Sequence, residues 1–451
     1  MKPYEHMKPS TYEWLHTIPS HWQELFLEQV SREKCEKNIG NQESNVLSLS
    51  YGRIIRKKNV YAGLVAKDFA TYQIVRRNDI ILRFTDLQND HTSLRTGLVT
   101  ETGIITAAYT CIVPTINSAF LRYLLHAYDL RKVFYGMGGG VRQSIGFKNV
   151  RHMFVPVPPR AEQDQIVRFL DWKVSEINKL IVSKRKQISF IQEYRTTMIN
   201  NAVTQGVRNS RLKPSGMNWL PQIPANWETI PAKALFDHIV ELRHEQDEML
   251  AATQKYGMIA QKEYMALEGR RIVLANDNLD KWLHVEPDDF IISLRSFQGG
   301  LEVCTMPGCV TWHYVVLRPK ENVCVPYFKW LFKSASYIGA LQRTSDFIRD
   351  GQDLRFSNFI KVRLLLVPLD EQREIAEYLD KKIPLFDVAE KKISDEIAAL
   401  QEIKARLISD VVTGKIDVRG IEIPEYEPVT EESEPADEDS TEEEPAEDQE
   451  D

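Results

Sequence analysis

The feature that most constrains this chain is a stretch of about forty residues that occurs twice. The second copy opens with Pro368-Leu369-Asp370-Glu371-Gln372 and closes at Val412-Thr413-Gly414. Within it Leu379, Phe386, Ile393, Leu400 and Leu407 fall seven apart, the spacing of a coiled-coil seam. Ile383, Ile397 and Val411 widen the stripe on the same face. Shifting back by 209 residues returns Glu162-Gln163, then Leu170, Ile177, Lys184, Ile191 and Met198, ending at Val203-Thr204. Between 162–204 and 371–413, 12 of 43 positions are identical, more than two unrelated amphipathic helices would share.

The duplication extends beyond the helices. Trp14-Leu15-His16-Thr17-Ile18-Pro19-Ser20-His21-Trp22 is echoed by Trp219-Leu220-Pro221-Gln222-Ile223-Pro224-Ala225-Asn226-Trp227. The interval from this signature to the Glu-Gln pair is 148 residues in the first copy and 152 in the second, so the chain is a tandem repeat of one unit. Each unit is a globular segment followed by a long helix. The expected boundaries are 1–160 and 219–369 for the globular segments, 161–204 and 370–413 for the helices, and 205–218 for a polar linker. A tail without structure is expected over 414–451.

Within the globular segments, Val46 to Leu49, Asp79 to Leu82, Ile104 to Ala107, Asp289 to Ile292 and Thr311 to Leu317 read as short strands. Ala119 to Phe134 and Tyr327 to Leu341 carry helical spacing. Phe154 to Pro159 and Leu364 to Pro368 read as extended exits, since proline neither continues a helix nor donates to a ladder. The fold class is α+β: two small mixed α/β domains separated by two long antiparallel coiled-coil helices, with the intervening domain returning the chain. The seam residues Leu170, Ile177, Ile191, Met198, Leu379, Phe386, Ile393, Leu400 and Leu407 form the expected helix-pair core. Forty-three helical residues span roughly 65 Å. Lys184 interrupts the seam where the second copy has Ile393, and Pro384 predicts a kink or a true helix start nearby.

The net charge of −7 averages two unlike parts. Residues 421–451 hold 16 acidic side chains and no Lys or Arg, which leaves a body of 48 acids against 57 bases. A basic body suits a polyanionic partner. Five cysteines without CxxC spacing and no apolar leader predict a soluble protein of the reducing cytoplasm, with no membrane partner.

Enzyme motifs are missing. Pro158-Pro159 lacks the flanking residues of a DNA-methyltransferase motif, and Gly136-Met137-Gly138-Gly139-Gly140 gives neither GxGxxG nor a P-loop. Asp288 and Asp289 read as the polar turn before a strand. The ten histidines, His313 among them, show no metal spacing, so neither a catalytic nor a metal site is expected. Nucleic acid fits better. Arg and Gln can make bidentate contacts to guanine and adenine edges, while Lys mostly meets phosphate. The candidate DNA-binding residues are Arg53, Lys57, Lys58, Arg83, Arg142, Gln143 and Ser144 in the first copy. In the second they are Arg295, Gln298, Arg349, Gln352 and Arg355.

A duplicated variable segment, each ending in Pro-x-x-Glu-Gln and a long helix closing on Val-Thr, resembles the specificity subunit of type I restriction-modification systems. The Trp-Leu-x-x-Ile-Pro-x-x-Trp signature resembles that family's lead-in to each target-recognition domain, and the likeness covers about residues 10–420. It implies a non-catalytic subunit in which each globular segment reads one half of a bipartite, asymmetric double-stranded DNA target. The helices would then act as spacer and as docking surface for methyltransferase subunits, two of them. Restriction/translocase subunits are the other implied partners. No cofactor is expected in this chain; S-adenosylmethionine, ATP and Mg are implied for the partners. The acidic tail lies outside the family pattern. The other reading of the same architecture is a coiled-coil scaffold presenting two protein-binding adaptor domains.

Overall fold

The computed structural model describes residues 2–12, 15–50, 52–57, 69–85, 94–137, 145–269, 278–293, 296–344 and 354–430. The chain divides into two units, Met1–Arg185 with Ser394–Asp451, and Lys186–Ile393. Each long helix, Arg160–Gln205 and Leu369–Val412, therefore contributes one part to each unit.

Unit 1 is built on a four-stranded antiparallel sheet in the order Ser31–Lys34, Thr110–Pro114, Ile80–Leu82, Thr96–Leu98. Unit 2 repeats that order with Phe236–Ile239, Val315–Pro319, Phe290–Ile292 and Glu302–Val303. The smaller pairings also recur. Gln73–Val75 with Gly103–Ile105 corresponds to Leu283–Val285 with Gly308–Val310. Hairpin Leu47–Ser50/Arg53–Arg56 corresponds to Leu250–Thr253/Gly257–Ala260. The duplication seen as sequence identity in the helices is thus a duplication of topology in domains whose sequences have diverged.

The polar turn expected before the central strand is present in both units. Asp79 Oδ2 accepts the Arg76 N–H at 2.8 Å and Asp289 Oδ2 accepts the Glu286 N–H at 2.9 Å. Asn78 and Asp288 supply the left-handed residue at φ 76° and 74°, a conformation Asn and Asp tolerate better than most. Both carboxylates are buried and need a cation. Lys34 serves Asp79 at 2.8 Å, and Arg318 grips Asp289 with two bonds of 2.9 and 2.8 Å.

The helices run antiparallel within each unit. In unit 1, Lys184 Nζ lies 2.6 Å from Glu396 Oε2 and Lys404 Nζ 3.3 Å from Asn178 Oδ1. In unit 2, Arg195 meets Asp387 at 2.8 Å, Arg208 meets Glu374 at 2.6 Å, and the Tyr194 and Phe386 rings lie 5.7 Å apart. Leu170, Ile177 and Leu379 are buried, whereas Ile191, Met198, Phe386, Ile393, Leu400 and Leu407 are half-buried. Two helices alone can cover only part of a seam; burial completes where the seam enters a domain core, beside Phe169 in unit 1 and Ile375 in unit 2. The second helix runs through Pro384 and starts at Leu369, not near the proline.

Several expectations need correction. Residues 205–218 are not a plain linker: Leu212–Met217 pairs with Leu220–Pro224, the counterpart of Met7–Pro9 with Thr17–Pro19. Phe154–Val157 and Leu364–Leu366 are ladder strands, paired with Gln23–Phe26 and Glu228–Ile230. Thr311 and Tyr314 close a turn, so the strand read over 311–317 begins at Val315. The helix read over 327–341 is two helices, Val325–Phe332 and Ala335–Gln342, the second capped by the Ser334 side chain.

The tail also divides. Residues 414–430 are packed, with Val418 buried in the unit 1 core. Gln165 Nε2 donates to the carbonyls of Val418 and Ile421, the Ser175 hydroxyl exchanges bonds with Glu427 and Val429, and Asn178 Nδ2 donates to Val429. An acidic composition hid this because the anchoring comes from backbone carbonyls and alternate apolar side chains. The acidic residues 431–451 lie outside the described residues. Among the described residues, no helix is long and apolar enough to cross a membrane.

Candidate nucleic-acid interface

The motifs that mark the repeat meet at one point in each unit. Trp22 is buried and donates its indole N–H to Glu162 Oε1 at 3.0 Å. The same oxygen accepts from the Tyr4 hydroxyl at 2.6 Å, and His21 Nε2 lies 2.8 Å from Oε2. Burial first, then the Glu162 carboxylate, push the Tyr4 phenol well above its usual range, so it stays a donor. In unit 2 the buried Trp227 donates to Glu371 Oε2 at 2.8 Å and Asn226 Nδ2 to Oε1 at 2.5 Å. Gln163 accepts the Asn117 N–H and donates to the Pro158 carbonyl. Gln372 accepts the Cys324 N–H and donates to the carbonyls of Asn322 and Val367. The Glu-Gln pair therefore fastens the start of each helix to its own domain.

The helix ends close on the same tryptophans. Gly206 at φ 79° and Gly414 at φ 73° take the left-handed conformation that terminates a helix. A Cβ added at Gly414 would stand 2.3 Å from Pro19 and 3.2 Å from Trp22, and one at Gly206 3.3 Å from Trp227. Each tryptophan is held between the start of one long helix and the end of the other.

The candidate base readers sit on the domains. Arg53 opens the strand Arg53–Arg56, and the exposed Lys57 follows that strand. Arg56 is engaged by Glu101 through its Nε at 2.9 and 2.8 Å. Gly52 packs on Leu94 and the Thr96 carbonyl, and the Arg83 N–H donates to the Arg95 carbonyl. Arg53 and Arg83 thus flank the entry to strand Thr96–Leu98. In unit 2, the exposed Gln298 lies on helix Ser296–Gly299, and the exposed Arg355 caps helix Phe356–Phe359. Beside Arg355 the Phe356 ring stacks on His238 with centroids 4.4 Å apart, under Lys233 Nζ. Lys58, Arg142, Gln143, Ser144, Arg295, Arg349 and Gln352, together with Trp14 and most of the glycine run at 136–140, lie outside the described residues.

Sequence reading missed Arg95, which is fully buried. Its guanidinium donates to the carbonyls of Arg83 and Thr85 and to the Tyr135 hydroxyl, while its own N–H donates to Asp129. One side chain thus ties the chain after the central strand to the region behind helix Ser118–Leu130. Nothing in its local sequence marks it, because all of its partners are distant. Also missed is a cluster of His244, Asp247 and His284 in unit 2, whose ligand atoms lie within 4.8 Å of one another.

No family model matches the chain. Two curated proteins of Methanocaldococcus jannaschii are similar in sequence. One, named as a candidate type I restriction enzyme MjaX specificity subunit, is 23% identical over 323 residues, 67% of this chain and 69% of that protein. The other, a type I restriction enzyme MjaVIII specificity subunit, is 23% identical over 291 residues, 61% of this chain and 64% of that protein. A solved chain from work on complex assembly and conformational transition of the type I restriction-modification system matches 88% of this chain and 99% of its own length. Its TM-score is 0.61 at 14% identity, a likeness of fold. The chain is therefore related in sequence to type I restriction enzyme specificity subunits, and it shares its fold with a chain of a type I restriction-modification system.

Proposed function

We propose that this chain is the non-catalytic, DNA-reading specificity subunit of a type I restriction-modification complex. Each globular domain would read one half of a bipartite, asymmetric target. The observation that carries this is the sequence relation to curated specificity subunits over about two thirds of the chain. The matched topology of the two domains supports two readers of one design, and their different exposed side chains support two different half-sites. Two modest interfaces joined by a stiff connector bind cooperatively only when both half-sites fall at the permitted gap. Exposed apolar side chains on the long helices, Leu180, Phe190, Leu385, Val388 and Ile403 among them, support docking of methyltransferase subunits there. S-adenosylmethionine, ATP and Mg would serve those partners and the translocase subunits.

The test is to map methylated adenines in DNA from cells that carry this chain with its methyltransferase subunits. The expected result is one two-part asymmetric motif with a fixed gap. Arg53→Ala should relax only one half, Arg355→Ala only the other, and four residues inserted near Gln187 should change the gap. Methylation or cleavage by the chain alone, or binding to DNA that ignores salt, would overturn the reading. The second of those results would favour the protein-binding scaffold.

A further inference from the structure

The two units carry the same small satellite of structure with opposite chemistry. In unit 1, strand Gln73–Val75 pairs with Gly103–Ile105, and Val46 bridges to Ile104. Val46, Ile74 and Ile104 form a buried apolar cluster there. In unit 2 the matching pairings put Met249, His284 and Cys309 at those positions, since His284 faces Cys309 across the ladder and Met249 bridges to Cys309. An apolar cluster has been replaced by one that contains a buried imidazole. Such a group must find partners for both ring nitrogens.

Those partners are all carboxylates. His284 Nδ1 lies 2.8 Å from Asp247 Oδ2, and its Nε2 lies 3.0 Å from Glu286 Oε1. His244 repeats the pattern: Nδ1 is 3.8 Å from Asp247 Oδ1, and Nε2 is 3.4 Å from Glu241 Oε1. The two rings lie 4.2 Å apart, centroid to centroid. Both Nδ1 atoms thus turn toward one shared carboxylate, and each Nε2 turns toward an acid of its own.

A neutral imidazole has one N–H and one lone pair. If the outer acids take the Nε2–H groups, both Nδ1 lone pairs point at the Asp247 carboxylate, which is repulsive. The opposite tautomers donate Nδ1–H to Asp247 but turn the Nε2 lone pairs on Glu286 and Glu241 instead. A single dication between the Nδ1 atoms and Asp247 satisfies all three at once. It also turns Glu241 and Glu286 into the outer partners that orient a metal-bound histidine.

We propose that unit 2 binds one divalent first-row cation, zinc the best fit, through His244, His284 and Asp247. Two imidazoles and a carboxylate suit that class of ion. The scaffold is already in place. Leu242 bridges to Leu283, the Arg243 N–H donates to the Trp282 carbonyl, and the His284 N–H donates to the Glu241 carbonyl. The His244 N–H donates to Asp247 at 2.7 Å. The His284 and Asp247 side chains are buried, and the exposed ring of His244 would complete the ligand set from the solvent side. The ion pins residues 241–249 to strand Leu283–Val285, ahead of hairpin Leu250–Thr253/Gly257–Ala260.

The test uses the full chain, stripped with chelator and then given zinc alone against a chromophoric competitor. Cobalt(II) provides a visible spectrum. One equivalent should bind, and hydrogen exchange of the 241–249 peptide should slow on loading. Glu286→Gln should weaken binding about 10- to 100-fold, the usual cost of losing an outer partner. His244→Ala should weaken it at least as much, and His152→Ala, at the surface of unit 1, should change nothing. His244 and Glu286 are exposed, so these variants fold, which circular dichroism checks. Absence of a stoichiometric zinc equivalent in the wild-type chain overturns the proposal. Equal affinity in wild type and His244→Ala does the same.

Discussion

The two units are copies in topology, yet they solve the same local problems with different residues. The clamp on the tryptophan is the constant part: Trp22 with Glu162 and Gly414, Trp227 with Glu371 and Gly206. Around it the support varies. Tyr4 and His21 share Glu162 in unit 1, while Asn226 and Arg208 share Glu371 in unit 2. Lys34 neutralises one buried turn aspartate and Arg318 the other. The lesson is that the joint between domain and helix tolerates little change, because a buried carboxylate must keep all its donors. The domain surface, which carries the candidate readers, is free to diverge.

The largest break in that comparison should come from the clamp. Glu162→Ala leaves the Trp22 and Tyr4 donors without an acceptor, which costs about 3 kcal/mol. Hydrogen exchange read peptide by peptide should show the loss around Trp22 and spare the peptides around Trp227. Glu371→Ala should give the mirror image. Equal loss in both units from either variant would mean that the clamp does not belong to one unit at a time.

A smaller asymmetry should appear in acid. The Nδ1 atom of His126 is shielded from water and has no hydrogen-bond partner among the described residues. Burial, helped by Arg122 and Lys404, lowers its pKa from the ordinary 6.5 to about 3. The unfolded chain therefore takes up a proton below pH 6.5 that the folded chain refuses down to about 3. This part of the stability is complete above 6.5 and is lost as pH falls through that window. His126→Gln should reduce the drop in the urea midpoint of unit 1 between pH 7.5 and 5. An unchanged drop would remove His126 as its source.

The smallest effect belongs to the seam. Lys184 looked like a break in the heptad, but it reaches Glu396 at 2.6 Å with both side chains part-exposed. Pairs of that kind are worth little. Lys184→Ile, which copies position 393, should move unit 1 stability by no more than about 1 kcal/mol. A shift above twice that, in thermal unfolding of the full chain, would show that the pair is worth more than an exposed ion pair.

What the sequence determined by itself is what local periodicity can encode. The heptads set the spans of both helices to within a residue or two, and the shared signatures set the number of units. The Asp-before-strand turns were also legible, because a four-residue pattern carries its own hydrogen bonds. Only the tertiary structure decided which distant groups meet: the strand order, the closure of Trp22 on Glu162 and Gly414, and the packing of 414–430 on the first helix. The bond of Arg95 to Asp129 and the meeting of His284 with Asp247 were invisible for the same reason. A side chain's local sequence records its secondary structure, whereas its partners here stand tens to hundreds of residues away and are set by how the chain crosses itself.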